Sequence, residues 1–157
     1  MHKPETQQER YARCGIEGSF VPVAEIDFGQ IRTMLVLSLR DWQAVGNWIT
    51  KSDKDGPEWN GIFKLHYDVL HQLTEAFVLF NGMKVKTHEC LFAYLCKKHP
   101  ELDFDWNFLE DVRRRRNRSV YYGEPVTYPD WKRAELQINL YIRTLKKLVE
   151  EKLRTER

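Results

Sequence analysis

Apolar residues recur at helical spacing in five blocks of this chain, and polar loops carrying glycine or proline separate the blocks. In the first, Ile31, Met34, Leu35, Leu37, Leu39, Trp42, Val45 and Trp48 follow a capping-box-like start at Asp27 to Gln30. That block ends near Lys51, before the polar loop 52–57 with its Gly-Pro breaker. The second runs from about Trp59 to Phe80, with Phe63, His66, Leu70, Leu73, Phe77 and Phe80 in register, and stops at Asn81-Gly82. A shorter third block starts near Thr87, carries Cys90, Leu91, Tyr94 and Leu95, and stops before His99-Pro100, because a residue preceding proline disfavours helix. The fourth begins between Asp103 and Asp105, carries Phe104, Phe108, Leu109 and Val112, and ends near Tyr122 at the stop signals Gly123 and Pro125.

The fifth block opens at Thr127, a capping residue, followed by a first-turn proline at Pro129 and by Asp130 at the positive end of the helix dipole. It carries Trp131, Leu136, Ile138, Leu140, Ile142, Leu145 and Leu148 and is expected to fray over residues 150–157. No block reads as a strand. Residues 1–26, with Gly15, Gly18 and Pro22, read as an N-terminal arm or irregular cap, and residues 27–157 as the folded body. Short loops between amphipathic helices make neighbours antiparallel, so the expected fold is an all-α, up-and-down bundle of four to five helices. Trp42, Trp48, Trp106 and Trp131 have helical apolar neighbours and are expected in the core.

The chain has 157 residues, enough for one domain with a real core. Its 25 basic and 23 acidic residues leave a net charge of only +2, so attraction for a polyanion has to come from local clustering. The cluster is Arg113 to Arg116, continued by Asn117 and Arg118. Successive helical residues lie about 100° apart, so four arginines in a row cannot share one solvated face. The ladder of Phe108, Leu109 and Val112 continues to Arg116 and then to Val120 as inward positions. Arg116 is therefore expected on the packing seam, where it needs an anion, a carboxylate or a wet interface. Asp68 and Glu75 of the second block are candidate carboxylates; Arg113, Arg114 and Arg115 read as surface charge.

Cys14, Cys90 and Cys96 are odd in number and lack CxxC spacing, so buried reduced thiols and a reducing, cytoplasmic setting are expected. Residues 1–13 are polar and do not read as a signal peptide, and no apolar run reaches membrane-spanning length, so no membrane partner is expected. His2, His66, His71, His88 and His99 are scattered without metal-ligand spacing, so no metal and no cofactor are expected.

Arg116-Asn117-Arg-Ser-Val-Tyr121-Tyr122-Gly123 at the end of the penultimate long helix resembles the signature of the HEPN domain family. Asn81-Gly82, the stretch from Lys86 to Leu95 and the long last helix support the resemblance, which covers about residues 28–150. The family signature is an arginine, often a polar residue after it, then four to six residues and a histidine. Here that window holds Tyr121 and no histidine. The resemblance implies a small helical bundle that pairs as a homodimer with the signature facing the groove between protomers. It also implies either metal-independent cleavage of RNA, as in toxin–antitoxin systems, or a non-catalytic role as the partner of a minimal nucleotidyltransferase.

The residue chemistry can be argued beside this. Arg116 offers a planar fork of donors that suits a phosphate. Asn117 can orient that fork, and Tyr121, four residues on, shares its helix face. A phenol with a pKa near 10 is a poor base at neutral pH, and lowering it by ~3 units takes about 4 kcal/mol. Stacking on a base suits Tyr121 better. The catalytic set expected here is thus Arg116, Asn117 and Tyr121, with Arg113, Arg115, Arg118 and Tyr122 binding RNA or nucleotide phosphate. His66 and His88 are auxiliary candidates for the missing histidine.

Overall fold

The structure, a computed structural model, describes residues 3–156. Among them are six α-helices: α1 (Gln7–Ile16), α2 (Phe28–Thr50), α3 (Trp59–Phe80), α4 (His88–Lys98), α5 (Trp106–Tyr122) and α6 (Tyr128–Thr155). The protein is an all-α bundle. Its hub is α3, buried around most of its circumference, with α2 and α6 as its principal neighbours and α4 and α5 packed on another side. Trp131, Ile138, Ile142 and Leu145 of α6 meet Phe63, Leu70 and Leu73 of α3 in one continuous core. Gly61 lets α2 approach closely, since a Cβ there would lie 2.5 Å from the Trp48 ring.

The helix boundaries follow local chemistry. Asp27 accepts from the Gln30 amide at 2.9 Å and Asp105 from the Asn107 amide at 2.9 Å, capping α2 and α5. Thr127 and Asp130 form a reciprocal capping box on α6. Gly123 ends α5 at φ 67°, a left-handed conformation that glycine adopts without a Cβ penalty. Residues 150–155, expected to fray, remain helical, with Leu153 buried; Arg157 lies outside the described residues, as do Met1 and His2 of the expected arm.

Several expectations are corrected. The arm is largely regular: α1 docks on α4, and β1 (Phe20–Pro22) pairs antiparallel with β2 (Met83–Val85) in a register that sets Val21 opposite Lys84. Strands of three residues are too short for a period-2 pattern to emerge. Cys14 and Cys90 are not free thiols; they form a disulfide that joins α1 to α4, and both are fully buried. That pairing spans 76 residues, beyond the reach of local spacing rules. It removes the ground on which a reducing compartment was expected. Cys96 is free, and burial pushes its thiol up to about 12. Among the described residues no helix is long and apolar enough to cross a membrane. Trp48, Leu37, Leu136, Leu140 and Val120 are exposed, because their helices meet the core along narrower stripes than the apolar pattern suggests.

The arm is held by charge as well as by sulfur. Arg10 of α1 is buried, donates to the Glu110 carboxylate of α5 at 2.9 Å and to the Glu89 carbonyl at 3.1 Å, and lies over the Trp106 ring. Burial alone would raise the pKa of Glu110, but Arg113 and Arg10 outweigh it and hold it at about 2, against an ordinary 4.5. The folded value is the depressed one, so the stabilisation is present above pH 4.5 and is lost as pH falls toward 2. Glu110→Gln should cost about 3–5 kcal/mol in urea denaturation at neutral pH, because it leaves buried arginine charge uncompensated. The gap between the two proteins should close as pH falls through this window. Equal stability at pH 7 would contradict the assignment.

Candidate functional site

Each arginine at the end of α5 has a different environment. Arg113 donates to Glu110 at 2.8 Å, and Arg114 lies 3.3 Å from the same carboxylate. Arg115 pairs with Asp111 and Asp130, each at 3.2 Å, and Arg118 approaches Glu124 at 3.7 Å. Arg116 alone in this run has no carboxylate within 4.0 Å among the described residues. Its Nε is buried without a hydrogen-bond partner, and its Nη1 reaches only Asn117 Oδ1, at 3.4 Å. The guanidinium lies 5.6 Å from the centroid of the Tyr67 ring, a cation–π contact that holds it without neutralising it.

Arg116 opens into a cleft of about 490 Å³ lined by Thr87, His88, Glu89, Arg113, Arg116, Asn117 and Tyr121. Its walls are the start of α4 and the second half of α5; behind them stands α3. From α3 come Tyr67 and His71, one turn apart. Tyr67 Oη lies 3.3 Å from His88 Nδ1, and the His71 and His88 rings stack with centroids 3.8 Å apart at 25°. On its far side His71 Nδ1 meets the Glu75 carboxylate at 3.3 Å, while its Nε2 is buried without a partner.

The electrostatics of this group are set by burial. Burial, helped by the charges of His88 and Arg116, lowers His71 to about 3, so it is neutral at any ordinary pH. Burial and Arg116 also lower His88, against the opposing pull of Asp68. Burial raises Tyr67 despite Arg113 and Arg116, so it remains a phenol. Asp68 is raised by burial and lowered by Arg116; neither it nor Glu75 forms an ion pair with that arginine. The cleft thus presents the Arg116 guanidinium, the His88 and Tyr121 rings and the Asn117 amide, together with the Glu89 carboxylate, which Arg13 engages.

Of the residues singled out in the sequence, the cleft brings together Arg113, Arg116, Asn117, Tyr121 and His88. Arg115 lines a separate hollow with Phe63, Phe108 and Asp130. Arg118 and Tyr122 are exposed at the end of α5 and do not line the cleft. His66 is elsewhere: it hydrogen-bonds the Ile62 carbonyl at 2.8 Å, its ring centroid lies 4.2 Å from that of Trp131, and burial lowers it to about 4. Arg113 and Arg115 are half-buried ion-pair partners, where surface charge was expected. Tyr67 and His71 were missed, although Tyr67, His71 and Glu75 at four-residue steps form a polar stripe inside an otherwise apolar helix.

The chain matches no family model, no curated protein and no solved structure.

If Arg116 is held for a ligand and not for the fold, its removal should be nearly silent in stability. Arg116→Ala should stay within about 1 kcal/mol of wild type in chemical denaturation, whereas Arg113→Ala should lose about 1–3 kcal/mol by stripping a partner from buried Glu110. Equal and large losses would make Arg116 a structural residue.

Proposed function

We propose that this cleft binds RNA through a backbone phosphate, with Arg116 as the principal anion donor, and that the protein works as a HEPN-type homodimer. One observation carries the reading: Arg116 is half-buried beside a cleft and alone among its neighbouring arginines has no carboxylate. A guanidinium kept in that state leaves its fork of donors for an incoming anion, and the planar fork suits phosphate better than a compact cation would. Asn117 steadies the fork. Tyr121 at the cleft, 70% exposed, gives an unpaired base a ring to stack on, which favours single-stranded RNA. The motif that resembles the HEPN signature supplies Arg116, Asn117 and Tyr121 of this set.

A second reading is favoured by a separate observation. Val120, Tyr121 and Tyr122 form an exposed apolar end to α5, and such a patch suits a protein partner, in HEPN systems a minimal nucleotidyltransferase. It predicts capture of such a partner that is lost in Tyr121→Ala, together with the absence of RNA binding.

Fluorescence anisotropy with a labelled single-stranded RNA over a salt series tests the first reading. Wild type should bind with an affinity that falls as salt rises. Arg116→Ala should bind at least about tenfold more weakly, with a log–log salt slope shallower by about 0.7. Salt-insensitive binding, or an unchanged Arg116→Ala protein, would overturn it.

A further inference from the structure

A cleft that offers a guanidinium to a phosphate has no use for an acid, yet Glu89 lines it. We propose that Glu89 makes this site select guanine, reading the Watson–Crick edge of one unpaired base of the bound RNA together with Asn117. The inference rests on the RNA-binding reading above and names the base which that reading leaves open.

Glu89 is anchored at one oxygen and free at the other. Arg13 of α1 donates from Nη1 to Glu89 Oε1 at 3.2 Å, while Oε2 has no hydrogen bond among the described residues. The same guanidinium also pairs with Glu5 and Glu17, each at 3.0 Å. One cation is thus shared among three carboxylates, and Glu89 keeps acceptor capacity for a further donor. Its side chain is 36% exposed, so a base can reach it.

Asn117 supplies the complementary group. Its Oδ1 accepts from Arg116 Nη1 at 3.4 Å. A guanidinium has donors only, so the amide oxygen must face it. The Nδ2 donors are thereby left over, and they have no hydrogen bond among the described residues. The Tyr121 ring at the same cleft is the surface on which the base stacks. At about 490 Å³ the cleft falls within the range of sites that hold a small organic group, about 300–1,000 Å³.

Against this set the four bases differ. The edge of guanine carries two neighbouring donors, the N1–H and the N2 amine, and one acceptor, O6. A carboxylate accepts from both donors and an amide nitrogen donates to O6, so each polar group finds its opposite. Uracil sets two carbonyl acceptors around a single N3–H. Cytosine and adenine each place an acceptor ring nitrogen beside their one exocyclic amine. For these three a lone pair faces the Glu89 carboxylate, a repulsion and desolvation cost that guanine avoids. The carboxylate also repels the RNA backbone whatever the sequence, and only guanine offsets that loss with new hydrogen bonds. An acid beside a phosphate-binding arginine therefore lowers affinity in general and raises selectivity.

The test uses the full chain and four labelled oligouridine strands that differ at one central position, which holds G, A, C or U. By fluorescence anisotropy, wild type should bind the G strand at least about tenfold more tightly than each of the others. Inosine at that position lacks the N2 amine, and its strand should fall between G and the rest. 7-Deazaguanine keeps the Watson–Crick edge and should bind like guanine. Glu89→Ala should bring the four strands within about threefold of one another while keeping the wild-type salt slope, because no phosphate contact is lost. Glu89→Gln, close to the native side chain in shape, guards against a packing change and should lose the preference for G as well. A preference that survives in both variants, inosine bound as tightly as guanine, or a wild type that binds the four strands alike or favours another base overturns the inference and leaves RNA binding standing. No binding of any strand by wild type overturns both readings.

Discussion

The buried carboxylate of Glu110 is the interaction on which the rest of the arrangement depends. It sits between α1 and α5 and accepts from Arg10 at 2.9 Å and Arg113 at 2.8 Å, with Arg114 at 3.3 Å. One acidic residue thereby anchors the N-terminal arm to the bundle and draws Arg113 toward the interior, while Arg114 reaches it from the exposed side. Asp111 and Asp130 then engage Arg115 on the other side of the helix. What remains is Arg116, turned toward Tyr67 and a cleft whose lining carboxylate, Glu89, is engaged by Arg13 instead. Structural pairing of its neighbours is what singles this residue out.

The same region shows how a hydrophobic hub can carry polar chemistry. α3 fills the middle of the bundle, and most of its buried residues are apolar. Along one face, however, Tyr67, His71 and Glu75 rise at four-residue steps and support His88 from behind. Burial keeps His71 and Tyr67 uncharged, which avoids the cost of an unpaired ion in the core and leaves Arg116 as the dominant charge at the cleft. The disulfide between Cys14 and Cys90 fixes α4 two residues beyond His88, so the arm and the cleft wall are mechanically continuous.

Much of the fold was legible in the chain. α2 to α6 fall where apolar spacing, caps and the stops at Gly82, Pro100 and Gly123 put them, because those signals are local. α1 escaped notice because what fixes it is distant: Cys90 is 76 residues away from Cys14, and Glu110 is 100 from Arg10. Val120 fails as an inward position because α5 leaves the core at its last turn, a fact of tertiary packing that periodicity does not encode. At the site, Arg116 followed from the helical phase of its neighbours, and His88 from its place at a helix start. Tyr67 and His71 were hidden in the apolar register of α3, where an aromatic or neutral imidazole is indistinguishable from core until its neighbours are known.

The central claim is that Arg116 is held without an internal anion so that it can accept an external one. Observing the arginine Nε–H resonances by heteronuclear NMR during titration with a short single-stranded RNA addresses this most directly. The account predicts a saturable shift of the Arg116 Nε–H, whose group lacks a partner in the free protein, with much smaller movement of the paired Arg113 and Arg115 signals. An unmoved Arg116 resonance at saturating RNA, or uniform shifts across all the arginines, would contradict it.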